Sequence, residues 1–329
     1  MSAPAKALGE QGTVVALCGG VGGAKLAFGL SHLLGERLTV IVNTGDDFEH
    51  LGLHISPDID TVLYTLSDRA NRELGWGRKD ESWNFMKALA EIGGEGWFQL
   101  GDRDLALHVE RTRRMRAGDR LTDIVVDFAR RFAIPSRILP MSDDAVRTSV
   151  VTRDEGVLPF QRYFVERRCQ PVVEEVQFQG ADSARMSAEV EAALSSADLR
   201  AVIVCPSNPY LSIDPLLSVP GISQLLADAS APVVAVSPII GGQAVKGPTA
   251  KIMSELGIPA TNATIADHYG DLIDGLMIDE ADAAEIGQLA VRATISATLM
   301  RTDDDRCRLA EDVLAFAETL AETGSGRRP

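Results

Sequence analysis

Thr13-Val14-Val15-Ala16-Leu17-Cys18, then Gly19-Gly20-Val21-Gly22-Gly23-Ala24-Lys25, then Leu38-Thr39-Val40-Ile41-Val42 are the segments that decide the fold. The first is a short apolar, β-branched run that stops at glycines, as a buried strand does. Ala24–Leu34 carries Leu26, Ala27, Leu30, Leu33 and Leu34 at helical spacing. Leu38–Val42 is a second buried-type strand. Strand, helix and strand within about thirty residues make a βαβ unit. Strands that are apolar throughout, rather than alternating, imply a parallel sheet covered on both faces. The pattern returns late in the chain. Ala201–Cys205 runs into Pro206-Ser207-Asn208-Pro209, and Pro232–Ser237 runs into Pro238-Ile239-Ile240-Gly241-Gly242. The expected fold is α/β, a Rossmann-like parallel sheet with helices on both faces.

In such sheets ligands bind outside the carboxyl ends of the strands, so the loops at 19–25, 43–56, 206–213 and 237–248 are expected to line one edge. The core is assigned to residues 12–66 and 186–321. Residues 67–185 are read as an inserted, mostly helical subdomain covering the active site. Their first half is polar and helical in pattern and holds Trp76, Trp83 and Trp97, and residues 148–180 alternate like irregular β structure. Residues 1–11 and 322–329 read as flexible tails.

Composition narrows the function. The 329 residues carry a net charge of −15, with no basic excess to neutralise a nucleic-acid backbone. Nucleotides are not excluded, since backbone amides and a few cations read them locally. Cys18, Cys169, Cys205 and Cys307 are scattered, with no Cys-x-x-Cys pair, which argues against a disulfide framework or a zinc site. Residues 1–12 lack an apolar signal core, and no run approaches the ~18–20 apolar residues of a membrane span. A soluble cytoplasmic protein without a membrane partner is expected.

Residues 19–25 fit neither the P-loop pattern nor the dinucleotide fingerprint. Their chemistry is nevertheless that of an anion site. Small residues let backbone N–H groups approach a phosphate, and a helix amino terminus adds partial positive charge. The plainer alternative is a tight turn. Gly19, Gly20, Gly22, Gly23 and Lys25 are the candidate phosphate contacts.

Seventeen residues later comes Asn43-Thr44-Gly45-Asp46-Asp47, and five carboxylates (Asp46, Asp47, Glu49, Asp58 and Asp60) fall within fifteen residues. Ser56-Pro57-Asp58-Ile59-Asp60 reads as a helix start, with Ser56 as cap and Pro57 at the first position, which accounts for Asp58 and partly for Asp60. It does not account for Asp46 and Asp47 at the end of an apolar strand, where like charges repel. A magnesium ion held by one or two carboxylates and substrate phosphates would relieve that repulsion, and Asp46 and Asp60 are the expected ligands. Phosphoryl transfer is therefore the first reading. His50 and His54 lack a third nitrogen ligand, so surface or structural roles are preferred to zinc. The basic run Arg111–Arg120 reads as a solvated helix face, an arginine reaching substrate being the lesser alternative.

Taken in order, these segments resemble the 2-phospho-L-lactate transferase family of coenzyme F-420 (deazaflavin) biosynthesis. The resemblance rests on residues 19–25, 43–47 and 56–66, and on Gly101-Asp102-Arg103-Asp104, Pro140-Met141-Ser142-Asp143-Asp144 and Phe160-Gln161-Arg162-Tyr163-Phe164-Val165. It extends through residues 206–209 and 237–242. It implies a magnesium-dependent enzyme, commonly a homodimer, that takes a guanosine diphospho-acid donor (lactyl, enolpyruvyl or glyceryl). The acceptor is Fo, 7,8-didemethyl-8-hydroxy-5-deazariboflavin. The ribityl hydroxyl attacks the phosphorus that bears the acid, GMP leaves, and coenzyme F-420-0 or its dehydro form results. In this reading Asp46 and Asp60 hold the metal, and Asp47 orients or deprotonates the hydroxyl. Asn43, Thr44, Asp58, Ser207, Asn208, Gly241 and Gly242 join the glycine loop in binding substrate. The alternative is a non-enzymatic, sugar-nucleotide-binding regulator of the related gluconeogenesis-factor family. The donor acid is not fixed by any single residue.

Overall fold

Six residues, Thr13–Cys18, form strand β1, and every side chain after Thr13 is buried. Val14, Ala16 and Cys18 face one hydrophobic core and Val15 and Leu17 face a second, so the strand is covered on both sides. A computed structural model describes residues 12–244 and 248–324. Around β1 lie β2 (Leu38–Val42), β3 (Arg137–Pro140), β4 (Leu199–Val204), β5 (Val233–Val236), β6 (Gly275–Asp279) and β7 (Arg292–Ser296). They make one seven-stranded sheet in the order β7-β6-β5-β4-β1-β2-β3. Every pairing in it is parallel. The α/β, Rossmann-like reading holds.

The chain builds outward from β1 to β2 and β3, returns to β4 on the other side of β1, and continues outward. The loops after β1 and β4 therefore diverge and open a crevice between them, the place where such sheets take ligands.

Helix α1 (Gly20–Leu34) buries Leu26, Ala27, Leu30 and Leu34 on the sheet. It begins at Gly20, so the glycine stretch is the helix's first turns rather than a loop ahead of it. Helix α2 (Pro57–Leu66) starts at Pro57 as expected, but Ser56 makes no side-chain cap bond. Its hydroxyl is committed to Asp47 instead, at 2.8 Å. The C-terminal helix (Asp303–Glu322) opens with a capping box between Thr302 and Asp305. It passes so close to α1 that a Cβ at Gly29 would strike the Arg306 carbonyl.

The insertion differs from its expected bounds. Arg137–Pro140 pairs with β2 and is the edge strand of the main sheet. The amphipathic helix before it, Leu121–Arg131, buries Ile124, Val125 and Phe128 in the same core as α1. Outside the main sheet lie the helix Asp102–Arg116, whose Leu107 also packs into that core, and a three-stranded antiparallel sheet of Arg147–Thr152, Gly156–Pro159 and Val173–Gln179. The expected C-terminal tail also starts late, since helix persists to Glu322. Residues 1–11 and 325–329 lie outside the described residues.

Candidate active site

At the carboxyl edge of the sheet, over the β1/β4 crevice, lies a cavity of about 640 Å³, within the usual size of small-molecule sites. Of the candidates from sequence, Gly19, Gly20, Gly22, Lys25, Asp46, Asp58, Asp60, Ser207 and Asn208 line it. Gly23, Asn43, Thr44, Asp47, Gly241 and Gly242 do not. Gly22 and Gly23 have a packing reason to be glycine. A Cβ on Gly22 would sit 2.5 Å from the Pro206 carbonyl oxygen, and one on Gly23 would strike Ser207 Oγ. Ser207 clamps the two loops, donating to the Gly19 carbonyl at 2.8 Å and accepting from the Gly19 amide at 3.1 Å.

The amino terminus of α1 already faces an anion, and it is a protein carboxylate. Asp58 accepts hydrogen bonds from the Gly20 amide and from Asn43 Nδ2, the latter at 2.9 Å. A Cβ on Gly19 would lie 2.7 Å from Asp58 Oδ2, so this position must be glycine for the carboxylate to enter. Asn43 thus supports Asp58 from beneath, while its own Oδ1 accepts from the Gly45 amide at 2.7 Å. Burial drives the Asp58 carboxyl up to about 6, against the pull of those hydrogen bonds. Asp46 is raised further, by burial first and by the Asp58 charge second. Its Oδ1 is buried with no hydrogen-bond partner. Two buried carboxylates that repel each other, one of them lining the cavity with an orphaned oxygen, suit a divalent cation.

Asp60 is placed differently. Both of its oxygens are hydrogen-bonded by Arg111, which is fully buried. The expectation of a solvated face over Arg111–Arg120 fails at this residue. Arg111 lies on the helix Asp102–Arg116 at helical spacing from Asp104 and His108, so the three share one face, and Asp104 and His108 line the cavity. His108 stands between Asp60, 3.5 Å from Nδ1, and Asp104, 3.3 Å from Nε2. Tyr64 donates to Asp104 at 2.5 Å. Burial works to raise the Asp104 carboxyl, but the His108 and Tyr64 bonds and the Arg111 charge hold it below its ordinary value. For Asp60, burial outweighs Arg111 and His108, and its carboxyl is raised. Asp60, Asp104 and His108 are the one cluster of metal-ligand type among the described residues; the guanidinium already supplies Asp60 with positive charge. Sequence reasoning missed Asp104, His108 and Tyr64. The signal available was the Asp104/His108/Arg111 stripe at i, i+4, i+7.

Asp47 is buried away from the cavity, taken up by His54 Nε2 at 3.0 Å and Ser56 Oγ at 2.8 Å. His54 therefore has a structural role. His50 is packed edge-on against Trp97, with ring centroids 5.1 Å apart. The Gly241 and Gly242 amides are bonded to Asp282 at 2.9 and 3.0 Å. Thr44 is buried under the site, its amide directed at Met141 Sδ. Asn208 Oδ1 caps its own turn, accepting from the Tyr210 and Leu211 amides. Its Nδ2 is buried without a partner, which leaves a donor at the cavity wall.

The far wall is aromatic: Trp76, Phe98, Phe160 and Phe164 line it. Phe160 and Phe164 are stacked at 5.4 Å, and Trp76 is 50% exposed. Of the three tryptophans in the insertion, then, Trp76 faces the cavity, whereas Trp97 lies beneath Arg162 and against Phe48. The cavity thus joins an acid-lined floor to an aromatic roof above the diverging loops.

The chain belongs to the family described as 2-phospho-L-lactate transferase CofD, whose model matches residues 14–317. Its relatives include a phosphoenolpyruvate transferase of Kitasatospora aureofaciens, 42% identical over 320 residues that span 93% of this chain and 98% of the relative. The phosphoenolpyruvate transferase of Streptomyces griseus is 39% identical over 316 residues, 93% of this chain and 99% of the relative. That of Mycobacterium tuberculosis is 37% identical over 315 residues, 88% and 94%. Among solved structures, a Bacillus halodurans protein of the upf0052 family superposes with a TM-score of 0.62 at 18% identity, covering 92% of this chain and all of its own. That likeness concerns the fold alone. The protein is a transferase by family, and among the described residues no helix is long and apolar enough to cross a membrane.

Proposed function

We propose that this enzyme transfers the phosphoenolpyruvyl group from a guanosine diphospho-enolpyruvate donor to the ribityl hydroxyl of Fo in coenzyme F-420 biosynthesis. The choice of acid is supported by the relatives that bear the name phosphoenolpyruvate transferase over nearly their whole length. The observation that carries the chemistry is the pair of unbalanced, buried carboxylates, Asp46 and Asp58, at the floor of the cavity. In the reaction the hydroxyl oxygen bonds to the phosphorus that bears the acid, and the bridging oxygen departs with GMP. Such a transfer needs positioning and charge neutralisation more than a protein nucleophile. Among the described residues that line the cavity, four aspartates (46, 58, 60 and 104) face a single lysine, Lys25. A polyanionic donor therefore needs a cation here.

Asp46 would hold magnesium, with donor phosphate oxygens completing its ligands, and Asp60 would join only by releasing Arg111. The ion, when bound, supplies charge neutralisation at the phosphates. Asp58, with a carboxyl near 6, takes the hydroxyl proton, a role the sequence assigned to Asp47. Asn208 Nδ2 donates to the donor, and Trp76, Phe98 and Phe164 cover the deazaflavin ring. Homodimerisation belongs to this reading as a family expectation. The test is GMP release. Protein, magnesium and the enolpyruvyl donor should yield GMP only when Fo is present. Release without Fo, or none with it, would refute the proposal.

A further inference from the structure

Beside the main cavity lies a second, smaller one of about 110 Å³. Its size suits a small group rather than a ring system. Val21, Lys25, Thr61 and Gly75–Gly77 line both spaces, so the two are continuous. The charge reverses between them. The main cavity is acidic, whereas the side pocket is lined by Lys25, Arg72, Arg301 and Arg306 against a single acid, Asp68. Arg72 is spent on Asp68 and Asp303, each at 3.0 Å, and Arg306 pairs with Asp303 at 3.0 Å. Lys25 donates to the Met300 carbonyl at 2.7 Å, which pins its ammonium at the boundary of the two spaces. The Arg301 side chain makes no hydrogen bond or ion pair among the described residues, and only its amide is bonded, to Asp305. Arg306 has a second feature that points to a ligand. Its side chain is 8% exposed, yet its Nε has no hydrogen-bond partner. A buried guanidinium N–H left unsatisfied costs free energy unless an acceptor arrives.

We infer that this side pocket is an oxyanion subsite, formed by Lys25, Arg301 and Arg306, that receives an anionic group of the donor and so fixes which end of it meets Asp46 and Asp58. The inference rests on the donor reading above and deepens it. An enolpyruvyl donor offers two sources of such an anion: the carboxylate of the transferred acid and the diphosphate. A planar carboxylate suits two guanidinium groups, which bind it through paired N–H donors. An anion seated there is kept away from the four aspartates of the main cavity, so the pocket orients the donor as well as holding it.

Arg301 is exposed and its side chain makes no hydrogen bond or ion pair among the described residues, so Arg301→Gln should leave folding intact. Titration calorimetry of the wild type and this variant, with guanosine diphosphate and with the guanosine diphospho-enolpyruvate donor, separates the outcomes. A carboxylate subsite predicts about tenfold weaker donor binding in R301Q, unchanged guanosine diphosphate binding, and partial recovery in Arg301→Lys. Equal weakening for both ligands would assign the pocket to a phosphate. R301Q that binds both as the wild type does would overturn the subsite while leaving the transferase reading in place. A wild type that binds neither nucleotide would overturn both.

Discussion

Replacing Asp58 by Asn should make the metal-free protein more stable at neutral pH, although it removes a buried, hydrogen-bonded side chain. The reason is the charge. Asp58 has its carboxyl raised from an ordinary 3.8 to about 6 by burial, so the folded state binds its proton more tightly than the unfolded chain does. A group raised in this way contributes stability fully below the unfolded value of 3.8 and loses it as pH climbs through about 6. Above that window the ionised form costs about 3 kcal/mol, at about 1.4 kcal/mol per pH unit of displacement. Asn keeps an acceptor for one of the two donors, the Gly20 amide and Asn43 Nδ2, and forgoes about 1 kcal/mol at the other. The expected net gain is about 2 kcal/mol, or about 4 °C in melting temperature. The assay is thermal unfolding of both proteins in chelator from pH 4.5 to 8. The difference between them should be largest above pH 7 and should vanish or reverse below pH 5. Because both carry the same remaining acidic groups, the comparison removes the general effect of net charge. An Asp58→Asn protein that melts at or below the wild type at pH 7.5, with a difference that does not change with pH, would refute the claim that this carboxylate is uncompensated.

Four further outcomes follow from the same contacts. Asp46→Asn should abolish the rise in melting temperature that magnesium gives the wild type; a full response in the variant would remove Asp46 from the metal site. Arg111→Met leaves Asp60 buried without its partner and should cost about 3–5 kcal/mol in urea unfolding, most of it recovered in the Asp60→Asn/Arg111→Met double variant. A loss under 1 kcal/mol would mean that Asp60 is neutralised by another group. Gly23→Ala places a methyl against Ser207 and 2.9 Å from Cys18 Sγ and should destabilise by about 1–3 kcal/mol, read as a lower denaturation midpoint. Trp76→Ala should raise the KM for Fo about tenfold, from a lost stacking contact of about 1–1.5 kcal/mol, while the donor KM stays put. An unchanged Fo KM would take the ring away from Trp76.

The middle of the sheet was legible because β1, β2, β4 and β5 are apolar runs that end in turn chemistry, whereas β6 and β7 and the strand order were not read from the sequence. Nor was β3. Arg137-Ile138-Leu139-Pro140 offers two apolar residues between an arginine and a proline, too little to separate a sheet edge from a loop. The glycine stretch suggested an anion site but not its geometry. Nothing local shows that Asp58 occupies the mouth of α1, or that Gly22 and Gly23 answer to Pro206 and Ser207, which lie more than 180 residues away. Asp46 and Asp47 are adjacent and equivalent on paper, and only the fold sends one into the cavity and ties the other to His54 and Ser56. Arg111 looked like one more surface arginine in a basic run. Its burial depends on Asp60, fifty-one residues earlier in the chain, a pairing that local pattern cannot show. Gly241 and Gly242 were expected to bind substrate, but their amides are bonded to Asp282.

The central claim is the transfer itself, and a competition measures it most directly. The protein is given Fo, magnesium and equal amounts of the lactyl, enolpyruvyl and glyceryl guanosine diphospho-acids, and the products are identified by mass spectrometry. The account predicts GMP together with a predominant Fo phosphodiester bearing the enolpyruvyl group. A predominant lactyl or glyceryl product would contradict the donor assignment, and the absence of any Fo phosphodiester would contradict the transfer.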